Sequence, residues 1–216
     1  MSGLRAAVWS VAGTVVRWTA AIASRAAAVG PNHRPARNFG GFGDGSILGW
    51  PTGPVFGERW IWIGSGTLIA PHVTLSAGLA TWEDTCIEPV VRIGDRCLIG
   101  RGTAIVGHLA IDIGDDVYTG MNVYITDQNH GYEDLNLPIG VQAPSENPVT
   151  IGPGSWIGSG AVILPGARIG AHVVVGANSV VRGEIPDNSV VVGVPGRVVR
   201  RHDGSRWQRV GEDLDL

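Results

Sequence analysis

Residues 151–181 read IGPGSWIGSGAVILPGARIGAHVVVGANSVV. Ile151, Ile157, Ile163, Ile169, Val175 and Val181 recur every six positions, and Ser155, Ala161, Ala167, Val173 and Ser179 each stand four residues after the first five. A unit of six is too short for a helical repeat. It suits a short strand followed by a bend, with three units closing one triangular turn of a solenoid. Glycine at the bends relieves backbone strain, and small residues at the fifth position fit a narrow interior. Stacked turns bring the aliphatic side chains over one another at about 4.8 Å, so each turn completes a core that its neighbour began.

Working back along the chain, Ile63, Ile69 and Leu75, then after a gap of eighteen Ile93, Ile99 and Ile105, then after a two-residue slip Ile113, Thr119 and Ile125 follow the same six-residue spacing. The solenoid is therefore expected over residues 63–195. Cys97 falls on a fifth position and reads as a small buried residue. Cys86 falls in a degenerate turn and is given no role. Two cysteines exclude a disulfide scaffold and a multi-cysteine zinc site.

Residues 31–62 show no sustained period and read as an irregular lead-in. The glycines from Gly40 to Gly45 lack the flanking strand and helix of a dinucleotide fingerprint. Within residues 1–30, Leu4, Val8, Val11, Val15, Trp18 and Ile22 draw one stripe along an amphipathic helix. The apolar run over residues 6–16 is too short to span a membrane and lacks a convincing cleavage site for a secretion signal. Two dispositions fit the stripe: packing on the body or a neighbouring subunit, and peripheral contact with a membrane surface. Residues 196–216 form an Arg-rich tail, partly neutralised by Glu212, Asp213 and Asp215.

The chain has 216 residues, 33 of them glycine, and all 16 basic residues are arginine against 19 acids. A net charge of −3 does not point to a nucleic-acid partner. The composition fits a reducing compartment, with the cytoplasm as the default and membrane association left open by the helix.

After Ile125 the phase breaks, and the polar segment 126–148 intervenes before Ile151 restores it. Such an extruded loop on a rigid scaffold is a place for function. It carries Asp127, His130, Tyr132, Glu133, Asp134 and Glu146. A neutral imidazole suits removal of a proton from a weak oxygen nucleophile, so His130 is a candidate base. Asp127, Glu133 and Asp134 are candidates to hold its other ring nitrogen. His72, His108 and His172 occupy fourth positions of hexads, which point outward. With three hexads per turn, His108 shares a face with His130 in successive turns.

The repeat resembles the hexapeptide-repeat acyltransferases over about residues 40–201. That resemblance implies an all-β, left-handed parallel β-helix, a homotrimer with active sites between adjacent subunits, and acetyl-CoA or another short acyl-CoA as cosubstrate, with no metal. The segment from Thr119 through Asn122 to His130 looks like the catalytic segment of sugar O-acetyltransferases of the galactoside and maltose type. On that comparison His130 is the catalytic base and Asn122 lines the same pocket. His108, Asp127 and Asp134 would face the acceptor, although His108 stands where galactoside enzymes carry an acid. Trp156, Ser159, Ala177, Arg182, Arg197 and Arg200 resemble acyl-CoA contacts, with Ser159 and Ala177 meeting pantetheine and Arg197 and Arg200 the phosphates.

The reaction implied is acyl transfer to a hydroxyl of a sugar or of a polysaccharide or lipid-linked glycan. Three alternatives stay open. One is N-acetylation of a nucleotide-linked amino sugar, which the repeat does not distinguish from O-transfer. A second is a non-catalytic scaffold or regulatory subunit. The third is a β-helical carbonic anhydrase, against which the expected pair of histidines five apart is missing.

Overall fold

In the computed structural model the chain is described over residues 3–78 and 89–211, with side chains from residue 9 onward. Cys86, Glu212, Asp213 and Asp215 lie outside the described residues. Every aliphatic position of the six-residue phase is buried, from Ile63 to Val181, as is Thr119. Three walls of parallel strands result. The first runs through Ile61–Ile63, Val91–Ile93, Ile111–Ile113, Val149–Ile151 and Arg168–Ile169 to Glu184–Ile185. The second runs through Leu68–Ile69, Leu98–Ile99, Tyr118–Thr119, Trp156–Ile157 and Val174–Val175 to Ser189–Val192, and the third through Thr74–Ala77, Ala104–Gly107, Tyr124–Thr126 and Val162–Ile163 to Val180–Val181. Register is kept throughout: Thr119 pairs with Ile157 and Ile157 with Val175. The architecture is the expected left-handed parallel β-helix.

The fifth positions explain themselves at the corners. Thr67 Oγ1 donates to the Gly94 carbonyl at 2.7 Å and accepts from the Cys97 amide at 3.0 Å, and Ser155 Oγ links Gly170 to Val173 in the same way at 3.0 Å each. Each buried hydroxyl thus satisfies one carbonyl and one amide of the next coil, which the turn would otherwise leave unpaired. Cys97 is buried, with Sγ 3.1 Å from the Gly114 carbonyl, and burial pushes its thiol pKa up, as suits a structural residue. The bends themselves are left-handed. Asn122 has φ 55° and Asn178 φ 57°, and between them Gly160 has φ 70°, where a Cβ would run into the Asn178 side chain.

Two boundaries differ from the sequence reading. The solenoid starts earlier than residue 63: Gly41–Phe42, Ile47–Leu48 and Val55–Phe56 form a first coil, paired in register with Ile61–Ile63, Leu68–Ile69 and Thr74–Ala77. Phe42, Ser46 and Leu48 do keep the spacing of four and six, but an aromatic in place of an aliphatic residue and the Pro51–Pro54 slip conceal it. The Arg-rich tail is also not loose. Arg197–His202 pairs antiparallel with Ser189–Val192, and Trp207–Arg209 folds back on it, which closes the edge of the second wall.

The outer faces of the walls differ in chemistry. The first presents Trp62, Arg92, Asp112, Thr150, Arg168 and Glu184, all exposed. The second presents Ile47, Leu68, Leu98, Tyr118, Trp156 and Val174, an unbroken apolar stripe of exposed and half-buried side chains. On the third, Phe56, Ala104, Tyr124, Val162 and Val180 point outward, interrupted by the hydroxyl residues Thr74 and Ser76.

The loop leaves from the edge where the third wall turns into the first. There Asp127 is wholly buried, and its carboxylate accepts from the backbone amides of His108 at 2.9 Å, Leu109 at 2.8 Å and Ala110 at 2.7 Å. Gln128–Asn129 then pairs antiparallel with Ser145–Glu146 as a neck, and Ile139–Val141 forms a short helical turn beyond it.

Two substitutions separate core packing from this corner. Ile157→Ala, at a fully buried site in the middle of its stack, should lower unfolding free energy by about 2–5 kcal/mol. Asp127→Ala should cost about 3 kcal/mol by leaving three amides unpaired, while Asp134→Ala should stay within about 0.5 kcal/mol. Urea unfolding of the three variants checks the order; an Asp127→Ala protein as stable as the parent would contradict the anchoring role.

Candidate active site

His130 is exposed, and its imidazole makes no hydrogen bond to any described residue. It borders a cleft of about 490 Å³ with Tyr132, Glu133 and Gln142 of the loop, Leu164–Pro165 of the following coil and Arg182 of the one after. The loop thus forms one side of the cleft and the edge between the third and first walls forms the other. Arg182, which the family resemblance put among the cosubstrate contacts, lines this cleft together with His130.

The three carboxylates considered as partners of His130 do other things. Both oxygens of Asp127 are occupied by the amides of residues 108–110, and with no exposed surface it reaches neither His130 nor an acceptor. Asp134 accepts from the backbone and side-chain nitrogens of Asn136 at 2.9 and 3.2 Å, inside the loop's own turn, and does not line the cleft. Glu133 lines the cleft without holding the imidazole.

His72 and His172 are exposed as the hexad phase requires, but His108 is not a solvated residue. Its side chain is only 13% exposed, and Nδ1 lies 3.4 Å from Glu146 Oε1, an ion-pair distance without hydrogen-bond geometry. Glu146 comes from the neck of the loop, so the contact ties the loop to the preceding coil. Sequence reasoning placed Glu146 in the loop but gave no sign of this pairing, because it depends on the neck doubling back. His108 shares the edge with His130 but does not border the same cleft.

The remaining residues sit elsewhere in the chain. Asn122, Ser159 and Ala177 stack at the edge between the second and third walls: the Asn178 amide donates to the Ser159 carbonyl at 2.9 Å, and the Met121 amide donates to Ser159 Oγ at 3.1 Å. Trp156 stands outward on the second wall, between Tyr118 and Val174. Arg197 and Arg200 lie exposed on the terminal hairpin along that wall, with the Arg200 guanidinium 5.9 Å from the Trp207 ring centre. The third wall separates these groups from the His130 edge. One chain therefore carries the imidazole on one edge and the small-residue corner on another, with the two arginines on the hairpin that borders the second wall.

Two family models match the coils on either side of the extruded loop. Residues 148–183 match the model for the bacterial transferase hexapeptide (six repeats), and residues 90–127 match that for the hexapeptide repeat of succinyl-transferase. A probable acetyltransferase of Mycobacterium tuberculosis is 38% identical over 150 residues, covering 69% of this chain and 45% of the relative. WbbJ of Escherichia coli, named as a candidate lipopolysaccharide biosynthesis O-acetyl transferase, is 35% identical over 143 residues, covering 62% of this chain and 73% of WbbJ. The galactoside O-acetyltransferase of Escherichia coli is 37% identical over 126 residues, covering 55% of this chain and 61% of that enzyme. The chain thus spans under half the length of the mycobacterial relative and about three quarters that of WbbJ. Among solved structures, a mutant of AntD, an N-acyltransferase from Bacillus cereus in complex with dTDP and coenzyme A, superposes with a TM-score of 0.65 at 21% identity, covering 78% of this chain and 87% of that one. The fold is shared with AntD, and the relatedness over most of WbbJ places the protein in the hexapeptide-repeat acyltransferase family.

Proposed function

We propose that the protein is an acyl-CoA-dependent O-acyltransferase that moves a short acyl group, acetyl above all, to a hydroxyl of a sugar or glycan. The observation that carries this reading is the division of chemistry between two edges. An uncommitted imidazole on an extruded loop borders a cleft of acceptor size, while the corner built from Ser159 and Ala177 lies across the third wall, and Arg197 and Arg200 stand on the hairpin that borders the second wall. Relatives named for galactoside and lipopolysaccharide O-acetyl transfer support the acceptor class.

The apolar outer faces of the second and third walls support assembly. Exposed stripes of this length on a rigid body are characteristic of interfaces, and a closed ring of three chains would cover them while leaving the charged first wall in water. In such a ring the His130 loop of one chain meets the Asn122 and Ser159 edge of the next. The donor would lie along the second wall, its phosphates near Arg197 and Arg200, since guanidinium groups bind phosphate through paired, charge-assisted hydrogen bonds.

The chemical step needs no covalent enzyme intermediate. His130 takes the proton from the acceptor hydroxyl as its oxygen attacks the thioester carbonyl carbon. The new C–O bond forms, the C–S bond breaks, and the coenzyme leaves as thiolate, to which the imidazolium can return the proton. A backbone N–H at the turn near Ser159 of the adjacent chain would stabilise the oxyanion. Asp127 and Glu146 act through position: one fixes the corner from which the loop starts, the other braces its neck on His108.

His130→Ala should lower kcat by about 10² to 10⁴ while CoA affinity stays within about twofold. Thiol release from acetyl-, propionyl- and succinyl-CoA against a panel of sugars and amino sugars, with binding followed by calorimetry, measures both quantities. An unchanged kcat would remove His130 from the mechanism, and turnover confined to amino sugars would replace oxygen by nitrogen as the nucleophile.

A further inference from the structure

The helix Gly3–Ala27 takes no part in the site, and from Trp9 onward its apolar side chains stand away from the rest of the described chain. Trp9 is 71% and Trp18 69% exposed, and Val11, Val15, Val16 and Ile22 are each more than half exposed. At 100° per residue, Val11, Val15, Trp18 and Ile22 fall within an arc of about 60°, and Ser10, Thr14, Arg17, Ser24 and Arg25 within about 100° on another side. Trp9 and Val16 lie about 100° farther round, with the positions of Thr19 and Arg5 between them and the stripe. Among the described residues no helix is long and apolar enough to cross a membrane.

Charge singles out the partner. Arg5, Arg17, Arg25, Arg34 and Arg37 precede the first acidic residue, Asp44, whereas the rest of the chain carries 11 arginines against all 19 acids. A bundle of copies of this helix would bury the narrow stripe, leave Trp9 and Val16 in water and gather arginines with no helix acid to pair with them. A surface of anionic phospholipid meets both features at once: headgroup phosphates for the arginines and an acyl boundary for the exposed apolar stripe and the two tryptophans.

We infer that this helix lies in the plane of an anionic membrane surface and holds the β-helix against it. The inference does not depend on the reaction proposed above. Flotation of the full chain with vesicles of phosphatidylcholine, with or without about a third phosphatidylglycerol, tests it. Binding should be at least about tenfold stronger to the anionic vesicles and should weaken in 0.5 M salt. Val15→Glu with Ile22→Glu should lose that binding, and Arg17→Gln with Arg25→Gln should lose its preference for anionic lipid. Both variants should keep the melting temperature and the light-scattering mass of the parent, since the one hydrogen bond these side chains make, from Arg17 to Thr14 Oγ1 at 3.2 Å, lies within the exposed helix itself. Equal, weak binding to both vesicle types would overturn the inference, as would a change of mass in the glutamate variant, which would put the helix between chains.

Discussion

No coil of this solenoid can bury its own apolar face. Ile157 is covered by Thr119 on one side and Val175 on the other, and the same holds down each wall from Phe42 to Ile185. Stability is therefore a sum over neighbours, and any residue that shifts the six-residue phase inside a strand costs two interfaces rather than one. Corners are under a weaker demand. They must pair their amides and carbonyls, which Thr67, Ser155 and Asp127 do, but they need not keep a length.

That difference explains where the loop is. At the edge between the third and first walls the chain leaves after Thr126 and returns at Val149 with the register intact, since Ile111 still pairs with Val149. Asp127 supplies the hydrogen bonds that an ordinary bend would have made, and the neck from Gln128 to Glu146 keeps both ends together. An imidazole carried this way is fixed to a rigid edge and remains uncommitted, whereas His108 one coil earlier is half enclosed by Glu146. The small corner at Ser159 belongs to another edge, so the constraint that builds the scaffold also keeps the two halves of the proposed site apart within one chain.

The six-residue spacing from Ile63 to Val181 was legible in the sequence because stacking holds it within each coil and lets slips fall only at corners, and the extruded loop was legible as its longest interruption. The first coil was not, since Phe42 and a proline-rich slip disguise the same spacing. The terminal hairpin was missed because five arginines within thirteen residues look like solvated charge until Arg200 is seen opposite Val190. At the site, residue identity pointed to His130, but the fates of Asp127, Asp134 and Glu146 depend on how the loop folds back on the preceding coil, which no local pattern encodes.

The sharing of the site between chains is tested most directly by mixing two variants that are each expected to be inactive, His130→Ala and Ala177→Trp, unfolding them together and refolding them at equal ratio. If His130 of one chain serves the Ala177 corner of the next, random assembly restores about a quarter of the parental activity, because one pairing in four joins an intact loop to an intact corner. If both groups serve within a single chain, the mixed preparation stays as inactive as its components.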